Sequence, residues 1–390
     1  MTAARPNHEK DNATPVTAQH PDTPSTDGRS AQHRHVADVG IAVIGGGQAG
    51  LAAGYFLRRA KADFVILDAQ SRPGGAWRHG WDSLRLFSPA RYSPLPGWWM
   101  PDQPGEPFPT ADHVRDYLGA YETRYHLPVR RNVDVEAVHA RPEHLEVRSR
   151  GRIWRARAVI SATGTWRRPH WPRYPGAEHF RGTQIHTVSY RRPKPFTGQR
   201  VVVVGGGNSA AQILAEVSTV AATTWVTIRP PRFLPDDVDG RVLFDVATQR
   251  TVAQREGRAD TGGVAGLGDI VMVPPVRSAR DRGVLHAEPM FHHLTPDGIA
   301  WQDGRTGPAA AIIWCTGFKP DLHHLGPLHL NTDAGGVPRT DGTRSIDEPR
   351  LHLLGYGDWT GTASATLIGA ARTAKTCVAD VLDHLPELAH

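Results

Sequence analysis

Cysteine is almost missing from this chain: Cys315 and Cys377 are the two among 390 residues. With no CxxC pair, neither a thiol–disulfide couple nor a zinc ribbon is available. Lysine is scarce too, at positions 10, 61, 194, 319 and 375 only, so arginine supplies most of the 45 basic residues. Those arginines are scattered, and the net charge of +6 lacks the clustered stripe that a nucleic-acid surface requires. No apolar run approaches the roughly 18 residues that a bilayer span needs. Residues 1–38 lack Leu, Ile and every aromatic, while holding four prolines and five threonines. Such a segment buries too little apolar surface to offset its ordering entropy, and it has no apolar stretch of a secretory signal. It reads as a disordered tail on a protein with no nucleic-acid or membrane partner, in a reducing, cytoplasmic compartment.

What is present is a core and two copies of one pattern. Apolar content of 39% suits a chain of about two to three domains. The run Val39–Ile44 predicts a buried parallel strand, and Gly45, Gly47 and Gly50 follow it in GxGxxG spacing. The first glycine permits the tight turn, the second lets backbone N–H groups approach a pyrophosphate, and the third lets the helix pack close. A helix N-terminus then faces the negative charge. The next strand, 64–67, ends in Asp68, 23 positions after Gly45, where a carboxylate accepts bonds from ribose hydroxyls.

Residues 201–217 repeat the pattern with a four-valine strand, Gly205, Gly207 and Ala210 in the third position, an accepted variant. Asn208 and Ser209 open its helix. Here the following strand ends at Arg229, 24 positions after Gly205. An acid suits a free 2′-hydroxyl and an arginine suits a 2′-phosphate. The first unit therefore predicts FAD and the second NADPH, with Arg232 assisting Arg229. The glycines at 262–268 follow no strand and read, with 229–241, as an irregular loop over the active site.

Between and after these units lie further signals. Gly74 and Gly75 permit a bend near a cofactor, and Trp77 is placed to stack on it. Six prolines between 94 and 109 stiffen a loop around Trp98 and Trp99, which reads equally as surface packing or as a wall of the substrate entrance. Residues 110–126 predict a Thr-capped helix, and 133–138, 144–148 and 152–160 predict strands. The last runs into Ala162-Thr163-Gly164. Residues 309–318 predict another buried strand ending in Thr316-Gly317, read as the return to the flavin domain. Asp358 precedes a small-residue helix and is placed to bond a ribityl hydroxyl. The pairs His292–His293 and His323–His324 lack metal-ligand spacing and read as solvated, so no metal is expected.

The segment 180–190 fits FxGxxxHxxxY through Phe180, Gly182, His186 and Tyr190. Set between two GxGxxG-type motifs, it resembles the fingerprint of class B flavin monooxygenases. Tyr190-Arg191 stands where Baeyer–Villiger members usually carry Trp-Pro, which places the chain nearer the heteroatom-oxygenating branch. Over residues 39–382, stretches such as GGGQAGLAAGYFLRRA and LGYGDWTGTASATLIG resemble the ArsO-type flavin monooxygenases of bacterial arsenic-resistance operons.

The resemblance implies an α/β fold with two dinucleotide-binding domains, the NADPH domain inserted into a split FAD domain. The expected division is 39–165 and 309–390 for FAD, 166–198 for the linker and 199–308 for NADPH. It implies that NADPH reduces FAD, that O2 adds to give a C4a-hydroperoxyflavin, and that oxygen passes to a soft nucleophile, with trivalent arsenicals suggested by the operon association. An NADPH oxidase or reductase without substrate oxygenation is the alternative. The implied flavin contacts are Gly45, Gly47, Gly50, Asp68, Gly75, Trp77, Val135, Thr163, Gly164, Thr316, Gly317 and Asp358. Those for NADPH are Gly205, Gly207, Asn208, Ser209 and Arg229. Ser88 occupies the place where many animal and yeast members have an Asn near the flavin. Ser88, His186 and Asn208 form the candidate catalytic set, with His186 and Tyr190 shaping the linker rather than transferring protons. The partners implied are O2 and a small-molecule substrate, and a homodimer is left open.

Overall fold

Two runs rich in valine and isoleucine each become an inner strand of a parallel sheet, where burial on both faces selects unbroken apolar sequence over alternation. The computed structural model describes residues 35–238 and 270–384. The tail reading for 1–34, the glycine segment 262–268 and the part of the loop reading past residue 238 lie outside the described residues.

In chain order the first sheet begins with β1 (His35–Ile44), β2 (Phe64–Leu67) and β3 (Val129–Arg130). It continues with β4 (Val135–Ala140), β5 (Leu145–Ser149) and β6 (Arg152–Ser161). The second sheet holds β7 (Thr183–His186), β8 (Arg200–Val204), β9 (Ala222–Thr227) and β10 (Ala287–Pro289). A small antiparallel sheet of β11 (His293–Thr295), β12 (Gly298–Ala300) and β13 (Thr306–Pro308) follows, and then β14 (Ala311–Trp314). The chain ends its strands with β15 (Thr340–Asp341), β16 (Arg344–Ser345) and β17 (Leu351–Leu353). The helices are α1 (Gln48–Arg59), α2 (Ala111–Arg124), α3 (Asn208–Val217), α4 (Pro274–Asp281) and α5 (Leu367–His384).

The first sheet runs β15-β16-β17-β6-β1-β2-β3, with the β4–β5 hairpin paired to β6; the second runs β10-β9-β8-β14-β7. Their centres are built alike. Ile44 lies opposite Leu67 and Ser161, and Val204 lies opposite Val226 and Trp314. Gly45 donates its N–H to Leu67 at 2.8 Å and Gly205 donates to Val226 at 3.0 Å. Ala162 donates to Ile44 and Cys315 to Val204, both at 2.7 Å. The two Thr-Gly turns are therefore equivalent ends of the third strand in each unit.

That equivalence corrects one expectation. The strand before Thr316-Gly317 was expected in the returning flavin domain, yet β14 pairs between β8 and β7 of the second sheet. The echo of Ala162-Thr163-Gly164 reports an internal repeat, and the return to the first sheet comes later, at β17 beside β6. Residues 35–38, expected in the tail, belong to β1 and pair with 152–155. His324, expected to be solvated, is fully buried, whereas His292 is exposed. Of the tryptophan pair, Trp99 is 70% exposed, while Trp98 packs on Tyr117 with ring centres 5.1 Å apart.

Between the sheets the chain crosses twice, and the crossings are tied side by side. Lys319 N–H donates to Arg168 at 2.8 Å and Asp321 N–H donates to Gly164 at 2.9 Å. The first glycine of each unit sets how closely turn and strand end approach. Gly45 has φ +109° and Gly205 φ +135°, and a Cβ there would lie 2.4 Å from the Ala162 carbonyl oxygen and 2.3 Å from that of Cys315. Both strain and overlap oppose any side chain, so Gly45→Ala is expected to cost about 2–5 kcal/mol. Urea unfolding, with flavin content measured alongside, checks this; an unchanged midpoint would contradict the packing described.

Candidate functional site

The N-terminus of α1 opens onto a cleft of about 320 Å³. Its cap residue is Gly47, no side chain caps it, and no acid stands in its first turn. The helix therefore presents unpartnered N–H groups and the positive end of its dipole to the cleft. The start of α3 likewise has Gly207 as cap, no side chain capping it and no acid in its first turn. A side chain at Gly75, which has φ +52°, would come within 2.8 Å of the Gly47 Cα, so glycine there leaves the helix end open.

Of the residues expected to hold the flavin, Gly45, Gly47, Asp68, Gly75, Trp77, Val135, Thr163 and Gly164 line this one cleft. Asp68, at the end of β2, is buried and ion-paired to Arg131, which also holds Glu122. Burial raises the Glu122 pKa. Trp77 donates its indole N–H to the Gln48 side-chain Oε1 at 3.0 Å, and Gln48 Nε2 donates in turn to the Ala365 carbonyl at 2.6 Å. Gly50 sits behind the turn, where a Cβ would meet the Gly45 oxygen at 1.9 Å.

Several lining residues escaped the sequence reading. His79 stacks on Trp166 at 6.5 Å, and Trp166 on Phe318 at 5.1 Å, each pair 21° from parallel. Burial first, then Arg78 and Arg191, lowers the His79 pKa. Asp134 accepts both arms of Arg167, at 2.7 and 3.0 Å, and Asp321 and His323 complete the wall. An aromatic shortly after each Thr-Gly turn was the available signal for the stacked rings. Nothing local marks the charged group, whose members come from three distant segments.

The other candidates lie outside the cleft lining. Ser88 is half-buried in the 81–109 loop. Asp358 is exposed and accepts the Ala363 N–H at 3.0 Å, well before α5 begins. Thr316 donates to the His170 carbonyl, and the Gly317 carbonyl accepts from His170 N–H at 2.9 Å and from His186 Nε2 at 3.1 Å. His186 Nδ1 accepts the Val188 N–H at 3.1 Å. Both its ring nitrogens are thus engaged with main chain, and burial lowers its pKa. Tyr190, also buried, donates to Glu216 of α3 at 2.8 Å, and Ser83 donates to the same carboxylate.

In the second unit Asn208 and Ser209 form the first turn of α3, where Asn208 Oδ1 accepts the Val271 N–H at 2.8 Å. Gly205 and Gly207 make the preceding turn, and Arg229 is exposed just past β9. An uncapped helix end, an acid at one strand terminus and a cation at the other fit two different dinucleotides.

Comparison with known proteins agrees. The family model for pyridine nucleotide-disulphide oxidoreductases matches residues 42–250. A flavin-containing monooxygenase from Stenotrophomonas maltophilia is 51% identical, with TM-score 0.81, covering 89% of this chain and 99% of that one. Indole-3-pyruvate monooxygenase YUCCA1 of Oryza sativa subsp. japonica is 30% identical over 390 residues, covering 91% of this chain and 94% of its own length. Cyclohexanone monooxygenase shares the fold at 16% identity and TM-score 0.65, over 90% of this chain and 88% of that one. The chain belongs to the pyridine nucleotide-disulphide oxidoreductase family and, within it, to the class B flavin monooxygenases. It is an NADPH-dependent oxidoreductase, and its cofactors are FAD and NADPH.

The disulphide chemistry in the family's name is not available here. Both cysteines are free, and burial pushes each thiol up to about 12. Among the described residues no group of three His, Cys, Asp or Glu is placed to hold a metal, and no helix is long and apolar enough to cross a membrane.

Behind the cleft a buried chain of hydrogen bonds braces the Ala-Thr-Gly turn. His324 Nε2 meets Ser161 Oγ at 3.0 Å, Ser161 meets the Tyr356 hydroxyl at 2.6 Å, and Tyr356 meets Thr163 Oγ1 at 2.7 Å. Burial drives the His324 pKa down to about 4 from 6.5. The unfolded chain therefore binds a proton below pH 6.5 that the folded chain refuses until about pH 4, so folded stability falls as pH drops through that window. The share lost between pH 6.5 and 5 is about 2 kcal/mol. Urea unfolding of wild type and His324→Gln at pH 5 and 7 reads it: the wild type should gain about 2 kcal/mol over the variant on going to pH 7. A pH-independent difference would contradict the buried neutral imidazole.

Proposed function

We propose that this monooxygenase oxygenates a soft heteroatom that brings its own lone pair, with trivalent arsenicals as the leading class and sulfides and amines next. The observation that carries this reading is the state of the cleft's charged groups. Asp68 is paired with Arg131, Asp134 with Arg167, and Asp321 with His323. Among the described residues no cysteine or lysine lines the cleft. The described lining thus offers no poised nucleophile, and attack on the activated oxygen falls to the substrate. A chain with two cysteines, Cys377 buried and Cys315 partly so, also has no three-thiolate site to capture arsenite. The arsenical assignment draws further support from the resemblance to the arsenic-operon enzymes.

Bound FAD, once reduced, supplies the activation of O2. The chain's own residues hold and orient the two cofactors. The N-terminus of α1 and Asp68 hold the pyrophosphate and ribose of FAD. Asn208, Ser209 and the start of α3 hold the pyrophosphate of NADPH, and exposed Arg229 holds its 2′-phosphate. The rings of His79 and Trp166 line the cleft, and Phe318 stacks behind Trp166 where the crossings meet, so this side would shield a bound flavin from water. His186 and Tyr190 position the linker. The overall balance is substrate, O2, NADPH and a proton in; oxygenated substrate, NADP+ and water out.

The test is the coupling ratio of product formed to NADPH consumed, with phenylarsenite, an alkyl sulfide, a tertiary amine and indole-3-pyruvate as separate arms. The account expects coupling near one for a heteroatom substrate, with little H2O2. Turnover confined to the 2-oxo acid, the substrate in the rice relative's name, would overturn the heteroatom reading. H2O2 equal to NADPH in every arm would support the oxidase alternative.

A further inference from the structure

We propose that Glu216 is a positioning residue for flavin reduction, its carboxyl group tying a wall of the cleft to the helix that carries the NADPH site. The wall is the segment 79–85, which follows β2 of the first sheet and supplies His79 and Leu84 to the cleft lining. Trp81, between them, is 5% exposed and sits in the core of the second unit, among Val201, Val203, Ile213 and Ile313. Leu84 packs against the same cluster. This side of the cleft therefore rests on the second sheet rather than on the first alone.

A shared acceptor fixes it there. Glu216, the ninth of ten residues in α3, accepts the Tyr190 hydroxyl on Oε2 at 2.8 Å and the Ser83 hydroxyl on Oε1. A carboxyl group suits the place because its two oxygens serve two hydroxyls at once. The neighbouring bonds of the segment run to the linker. Asp82 N–H donates to the Arg191 carbonyl at 2.9 Å, Asp82 pairs with Arg192 at 3.0 Å, and Arg191 donates to the His79 carbonyl at 2.9 Å. The Ser83–Glu216 bond instead reaches α3 itself. Asn208, at the proposed NADPH site, opens the same helix about 12 Å away along its axis. One rigid helix thus has the nucleotide at its start and the cleft wall at its end. Hydride transfer from NADPH to FAD demands near-contact geometry, and a displacement of about 1 Å can cost up to about a hundredfold in rate. NADPH affinity, set at the start of α3 and by Arg229, makes no such demand on the wall.

The inference rests on the proposed NADPH site at the start of α3 and not on the substrate reading. Anaerobic stopped-flow of the holoenzyme over a range of NADPH separates the limiting rate of flavin reduction from the NADPH dissociation constant. Ser83→Ala, at an exposed position, should lower the limiting rate about threefold to tenfold and leave the dissociation constant within about twofold. Glu216→Ala should lower that rate about tenfold or more, and the double variant no further. Glu216→Gln keeps an acceptor and gains a donor for the two hydroxyls, and should stay within about threefold of wild type. Hydrogen exchange, read without turnover, should show the amides of 79–86 opening faster in Ser83→Ala while β8 and β14 stay protected. Unchanged limiting rates in both alanine variants would overturn the proposal. So would a fall in Glu216→Ala that Ser83→Ala does not share, which would make Glu216 a support of the second core alone. Where Glu216→Ala fails to fold, Ser83→Ala decides the matter. Wild-type flavin left oxidised by NADPH would undo the nucleotide reading beneath the inference.

Discussion

Each half of the molecule depends on one approach of backbone to backbone that leaves no room for a β-carbon. The turn at Gly45 lies against the carbonyl of Ala162, and the turn at Gly205 lies against that of Cys315. These contacts set the helix N-terminus at the carboxyl end of its sheet, beside the next strand's exit. The proposed anion binding by α1 and α3 rests on that placement, with a glycine cap and no acid in the first turn of either helix. At the far end of each unit the two differ in charge, Asp68 closing the second strand of the first and Arg229 following that of the second.

The halves are joined by the segments that leave those strand ends. Because β6 and β14 are equivalent, the chain after Gly164 and the chain after Gly317 emerge at matching places and pair with each other. The rings of Trp166 and Phe318 stack where the segments meet, and His186 approaches Phe318 edge-on at 5.1 Å. The fingerprint histidine is thereby a structural part of the crossing, neutral and bonded to main chain on both nitrogens. Tyr190 does a related job, joining Glu216 of α3 while Ser83 of the 81–109 loop reaches the same carboxylate.

Much of this was legible in the sequence because it is local. Apolar runs, glycine spacing and the residue closing the second strand all lie within about thirty positions, the span of one βαβ unit. The fate of 311–314 was not legible, because a second Thr-Gly strand end fits both a return to the first sheet and a repeat within the second. Strand pairing decides it, and pairing is long-range. The wall of Asp134, Arg167 and Asp321 was illegible for the same reason: its members meet only through the tie between Asp321 and Gly164. His324 looked solvated beside a second histidine, but it is buried against Ser161 at the end of β6.

In the proposed function two equivalent dinucleotide sites, one closed by Asp68 and one by Arg229, serve hydride transfer from NADPH to FAD. Anaerobic mixing in a stopped-flow instrument tests it most directly, with flavin absorbance followed after addition of NADPH or NADH to wild type and Arg229→Ala. The account predicts one equivalent of NADPH bleaching one equivalent of flavin, NADH acting far more weakly, and the variant losing affinity for NADPH by about tenfold or more while NADH is little changed. A flavin left oxidised by NADPH, or an equal loss for both nucleotides in the variant, would contradict it.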